Sequence, residues 1–107
     1  MMLKYEIKIE GKNNPLPVVT FEDERFELAA TFLLAEARNF GSAIVDALEE
    51  VTSGKKQTGS FSGNVFSLEI TSGMTTICDD ISGKECAIET AALQEVAEEY
   101  VAAYEKL

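Results

Sequence analysis

The sequence predicts an α+β fold, a two-layer sandwich in which an antiparallel meander sheet is covered by two amphipathic helices. Three observations predict it. The chain opens on strict apolar and polar alternation, its apolar period changes to three or four residues in the middle and again at the end, and the stretch between those two regions is a series of short alternating runs separated by Ser-Gly turns. Two helices with one apolar stripe each and a sheet with one apolar face bury one another as two layers.

From Leu3 to Glu10, Leu3, Tyr5, Ile7 and Ile9 alternate with Lys4, Glu6, Lys8 and Glu10, which describes a half-buried strand ended by Gly11 and the turn at Asn13 to Pro15. Val18 to Phe21 is a candidate second strand, placed at an edge by Pro15 and Pro17. Between Phe26 and Val51, the residues Leu33, Ala37, Phe40, Ile44, Leu48 and Val51 recur at helical spacing, and Glu36, Asn39, Asp46, Glu49 and Glu50 are assigned to the wet side. The helix start is ambiguous, since Phe26, Leu28, Ala30 and Phe32 also alternate. Gly41 either divides the segment or permits close packing. Ser53-Gly54 ends the helix, with Lys55 and Lys56 beside the negative end of its dipole.

The meander runs from Gly59 to Glu89, with turns at Ser62-Gly63, Ser72-Gly73 and Ser82-Gly83. If Ser72 and Gly73 are the two turn residues, Ile70 faces Thr75, Leu68 faces Ile77 and Phe66 faces Asp79. Phe61, Phe66, Leu68, Ile70 and Ile77 then share an apolar face, and Ser67, Glu69, Thr71 and Thr76 share a wet one. A last helix starts near Thr90, read as its N-cap. Leu93, Val96, Ala97, Tyr100, Val101, Tyr104 and Leu107 form its stripe, and Gln94, Glu95, Glu98, Glu99 and Glu105 lie outside.

With 107 residues, 46% of them hydrophobic and 26% charged, the chain fits one domain spanning residues 1–107. No apolar run approaches the ~20 residues of a membrane span, and the opening Met-Met-Leu-Lys-Tyr-Glu lacks the pattern of a secretory signal, so a cytoplasmic protein without membrane contact is expected. Nineteen acids against nine bases and no histidine leave a net charge of −10. Such a surface repels phosphate backbones, which argues against direct nucleic-acid binding. Without histidine there is no imidazole base, no Ser-His or Cys-His pair and no histidine metal ligand.

Cys78 and Cys86 lie on the arms of the last hairpin. A three-residue loop, Ile81 to Gly83, would set them opposite one another within disulfide reach, whereas a two-residue loop would offset them. The reading preferred is two reduced, small, apolar side chains, with any thiolate opposed by Asp79, Asp80 and Glu85. Gly54, Gly59, Gly63, Gly73 and Gly83 form no phosphate loop, and Phe61, Phe66, Tyr100 and Tyr104 are read as core or its margin. No metal site, cofactor or catalytic residue is expected.

Gly63-Asn64-Val65-Phe66-Ser67-Leu68-Glu69-Ile70, the following Thr75-Thr76-Ile77 and the order of elements around them resemble small immunity proteins of bacterial polymorphic toxin systems, including those of contact-dependent growth inhibition. Tyr100 and Tyr104 stand in the last helix, where many such proteins carry Trp. The resemblance implies a non-catalytic cytoplasmic protein that binds a cognate toxin domain, often a nuclease and therefore basic. The candidate contact residues are exposed acids: Glu22, Asp23 and Glu24 before the first helix, Asp79 and Asp80 beside the last hairpin, and Glu69 on the wet sheet face. Two other readings stay open. One is a small-ligand-binding protein or enzyme with a carboxylate pocket, and the other an adaptor or oligomerisation module that pairs through a sheet edge.

Overall fold

The alternation of the first residues produces a hairpin of its own. In the computed structural model, which describes residues 3–107, β1 (Tyr5–Glu10) pairs antiparallel with β2 (Leu16–Phe21), Ile7 facing Val19 and Ile9 facing Pro17. Met1 and Met2, part of the opening that was read against a secretory signal, lie outside the described residues. The main-chain amide of Glu22 donates to the Lys4 carbonyl, so by alternation Pro17 directs its missing N–H away from β1. Its free carbonyl accepts a hydrogen bond of 2.7 Å from the buried Tyr100 hydroxyl.

A 3-10 turn (Glu24–Phe26) leads into α1 (Glu27–Thr52), which resolves the ambiguous start in favour of helix. Gly41 plays both of the roles considered for it. The helix is kinked at Phe40, whose φ of −126° and ψ of 18° are non-helical, and a Cβ at Gly41 would lie 3.0 Å from Val101 Cγ2 of the last helix. The meander follows as β3 (Thr58–Ser62), β4 (Phe66–Thr71), β5 (Met74–Asp79) and β6 (Glu85–Glu89), and α2 (Thr90–Glu105) closes the chain. The sheet order is β3-β4-β5-β6, separate from the β1-β2 pair, so the α+β fold has its meander and two helices together with a second, two-stranded sheet.

The register across β4 and β5 is the one derived from parity: Phe66 with Asp79, Leu68 with Ile77, Ile70 with Thr75. Phe61 pairs with Leu68 and so joins the same face. That face packs on the helices through Phe32, Leu33, Ile44 and Leu48 of α1 and Leu93, Val96 and Tyr100 of α2, all fully buried. Phe32 meets Phe61 and Phe66 edge-on, and Phe40 meets Phe61 likewise.

Two local readings are corrected. Thr90 is the first residue of α2 rather than its cap, which is Glu89. The Thr90 hydroxyl donates to the Thr71 carbonyl at 2.7 Å and lies 2.8 Å from the Thr75 hydroxyl, tying the helix start to the second hairpin. Glu36, assigned to the wet side of α1, is wholly buried at 0% exposure. It occupies the same helical row as Phe32 and Phe40, four residues to either side, and turns a carboxylate into the core end of the sheet.

Candidate functional site

The Glu36 carboxylate sets the geometry of one end of the meander. Oε1 accepts from the Asn64 amide at 3.0 Å, and Oε2 accepts from the amides of Val65 and Phe66 at 2.9 and 2.8 Å. Gly63 donates to the Phe66 carbonyl, so the turn residues are Asn64-Val65 rather than Ser62-Gly63. Gly63 is required by packing, since a Cβ there would lie 2.5 Å from the Glu36 carboxyl. The Val65 carbonyl, held by this turn, accepts from the Asp80 amide at 2.8 Å, so a buried acid of α1 places the loop between β5 and β6.

That loop carries two of the acids singled out in the sequence. Asp79 Oδ1 accepts from the amides of Ile81 and Ser82, and these bonds hold its carboxyl below the usual range. Asp80 Oδ1 accepts from the Ser67 hydroxyl at 2.8 Å. Glu69 lies on the same outer face as Ser67, two residues along β4 from the Ser67-Cys78 pair. Across the sheet, Ser62, Ser67, Cys78 and Glu85 form one outward row, and Ser60, Glu69, Thr76 and Ala87 the next. The structure therefore brings Glu69 and Asp80 to one surface and adds Glu85, which sequence reasoning considered only as a neighbour of the thiol.

Cys78 pairs with Glu85 and Cys86 with Ile77, so the two thiols fall on opposite faces and are free. The loop is even, with Asp79 bonded to Lys84 and Gly83 at a φ of +79°. Burial pushes the Cys78 thiol up, and Asp80, Glu85, Asp79 and Glu69 push it further. Burial alone raises Cys86, whose thiol donates to the Arg25 carbonyl.

Glu22, Asp23 and Glu24 form a separate group. Asp23 caps the 3-10 turn through the Arg25 amide and also receives the Arg25 guanidinium, at 2.6 Å at the closest. The guanidinium bond is the main reason its carboxyl lies below the ordinary range. Glu22 and Glu24 are exposed, and among the described residues neither takes part in an ion pair. Glu22 and Asp23 line a groove of about 330 Å³ with Lys4, Arg25, Phe26 and Glu89. Its lining mixes the acids Glu22, Asp23 and Glu89 with the bases Lys4 and Arg25, and Asp23 is engaged by Arg25. Among the described residues, no three Cys, Asp or Glu side chains converge in a way that could hold a metal ion. No helix among them is long and apolar enough to cross a membrane.

The outer sheet face of this acidic α+β domain thus carries Glu69 and Glu85 among Ser60, Ser62, Ser67 and Thr76. Over 95 residues the chain is 33% identical to a protein of Bacillus cereus described as "Immunity protein", the match covering 85% of this chain and 80% of that one. The chain belongs to this immunity protein family, in line with the resemblance of the meander sequence. No family model matches it, and no solved structure does.

Proposed function

We propose that the chain is a non-catalytic immunity protein that binds a cognate toxin domain in the cytoplasm and neutralises it, as in contact-dependent growth inhibition or a related toxin system. Family membership is the observation that carries this reading, and the charge distribution supports a basic partner, with a nuclease as the preferred class. A field from about ten negative charges speeds encounter with a basic groove, and carboxylates can occupy the positions where a nuclease would hold phosphates. Glu22, Glu24 and Glu69, without ion-pair or side-chain hydrogen-bond partners among the described residues, are the acids best placed to pair with Lys and Arg of the toxin. Asp23, Asp79 and Asp80 contribute charge while holding their own loops.

The test is co-expression with the toxin domain encoded by the neighbouring gene. The native chain should co-purify with it and protect cells, and the Glu22→Lys/Glu24→Lys variant should lose at least about tenfold in affinity. Unchanged protection by that variant would remove the loop acids from the interface, and failure of the native chain to bind the domain would overturn the immunity reading.

A further inference from the structure

Twelve consecutive residues, Gln57 to Leu68, carry no charge in a chain where 26% of residues are charged, and they include β3, an outer strand of the meander. Sheet edges in native proteins are guarded by charge, proline or cover, because their unpaired main-chain groups recruit other strands. The remaining edges follow that rule. β6 carries Glu85 and Glu89, and the Arg25 carbonyl reaches its Cys86. β1 alternates lysine and glutamate, and β2 contains Pro17. β3 reads Thr-Gly-Ser-Phe-Ser and has none of these devices.

The hydrogen-bond phase fixes which groups are free. Gly63 donates to Phe66, so Phe61 and Gly59, at steps of two along the strand, direct their main-chain groups to Leu68 and Ile70 of β4. Thr58, Ser60 and Ser62 then direct theirs away from the sheet. Among the described residues, no main-chain or side-chain group bonds to them. All three are exposed, while α1 covers the other face of the strand through Phe61. The edge is also held in shape, since the turn at its end is fixed by Glu36.

We infer that the β3 edge accepts an extended strand of the toxin, which adds to the meander as a fifth strand through the main-chain groups of Thr58, Ser60 and Ser62. This inference rests on the immunity reading and identifies where the partner engages. Main-chain bonds would provide affinity, and the outer face would provide selectivity. Glu69 lies directly across from Ser60. An incoming strand sits about 10 Å from β4, so a Lys or Arg opposite Ser60 can extend over that small side chain toward the Glu69 carboxylate. A second copy of this chain is a poorer occupant, because it would bring two net charges of −10 and two Glu69 side chains together.

Amide hydrogen exchange, read residue by residue with and without the neighbouring-gene toxin domain, tests the inference. In the free chain the amides of Thr58, Ser60 and Ser62 should exchange fast and those of Gly59 and Phe61 slowly. In the complex the first three should slow by about tenfold or more. A complex that forms while those amides remain fast would overturn the inference and leave the immunity reading standing, whereas absence of any complex would overturn that reading. Slowing in the free chain that grows with its concentration would assign the edge to a second copy and overturn the toxin strand. Ser60→Pro removes an outward donor and no β3-β4 bond, so a folded variant should bind the toxin domain at least about tenfold more weakly. Equal affinity would count against the edge.

Discussion

Replacing Glu36 by Ala would leave the buried amide of Phe66 and the partly exposed amides of Asn64 and Val65 without their acceptor. A buried unsatisfied donor costs about 1–3 kcal/mol and one that water can reach costs less, so a loss of about 1–3 kcal/mol is expected in urea unfolding. Glu36→Gln, which keeps one acceptor oxygen, should cost clearly less. Gly63→Ala should destabilise by about 1–3 kcal/mol through overpacking against the same carboxyl, and in the Glu36→Ala background that cost should disappear. The identity of this residue was partly legible. Its spacing from Phe32 and Phe40 puts it on the apolar side of α1, whereas a carboxylate by type belongs in water, and the amides it binds lie 28 to 30 residues away in a turn that no local pattern connects to it.

The tyrosines add a residue-level pH dependence. Burial, with Tyr104 nearby, pushes the Tyr100 hydroxyl up to about 12 from the ordinary tyrosine value of 10.0. Burial, then a hydrogen bond and charge from Glu99, raises Tyr5 as well. A group whose proton is held more tightly when folded contributes stability that is complete below the unfolded value and lost as pH rises through the folded one. Stability should therefore fall between about pH 10 and 12, and Tyr100→Phe should flatten that fall while costing about 1 kcal/mol at neutral pH for the bond to the Pro17 carbonyl. A denaturation series over that pH range measures both.

At the scale of elements, the contact between α1 and α2 depends on Gly41 facing Val101. Gly41→Val should push the helices apart and cost about 1–3 kcal/mol, with partial recovery on Val101→Ala, as a double-mutant cycle would show. Most elements were legible because their patterns are local: period two for β1, β4 and β5, period near 3.6 for α1 and α2, and parity for the β4-β5 register. The turn before β4 lies at Asn64-Val65, two residues beyond the Ser62-Gly63 signal, because the Glu36 carboxylate gathers the amides of Asn64, Val65 and Phe66 there. Thr90 was assigned a cap position for a similar reason. Its side chain is recruited by Thr71 and Thr75, and that contact exists only once the second hairpin has docked.

For the whole molecule, the net charge of −10 predicts how association with a basic toxin domain should respond to salt. The screening length falls from about 10 Å at 0.1 M to about 3 Å at 1 M, so the association rate should drop by roughly tenfold or more over that range while the dissociation rate changes little. Stopped-flow mixing at several salt concentrations would read this directly, and a flat response would mean that the acids serve solubility alone.

Local periodicity and composition suffice for the fold class, most of the helices and strands, the β4-β5 register and the acidity, and likeness along most of the chain carries the family. Tertiary structure decided which acids are free and which are used. Asp23 and Asp79 hold turns, Asp80 takes the Ser67 hydroxyl, Glu36 is in the core, and Glu22, Glu24 and Glu69 have no such partner among the described residues. It also decided that β1 and β2 form a separate sheet and that β3 is a bare edge. The physical reason is common to all of these: a carboxylate or an edge amide acts according to what is or is not within 3 Å of it, and those neighbours come from distant parts of the chain.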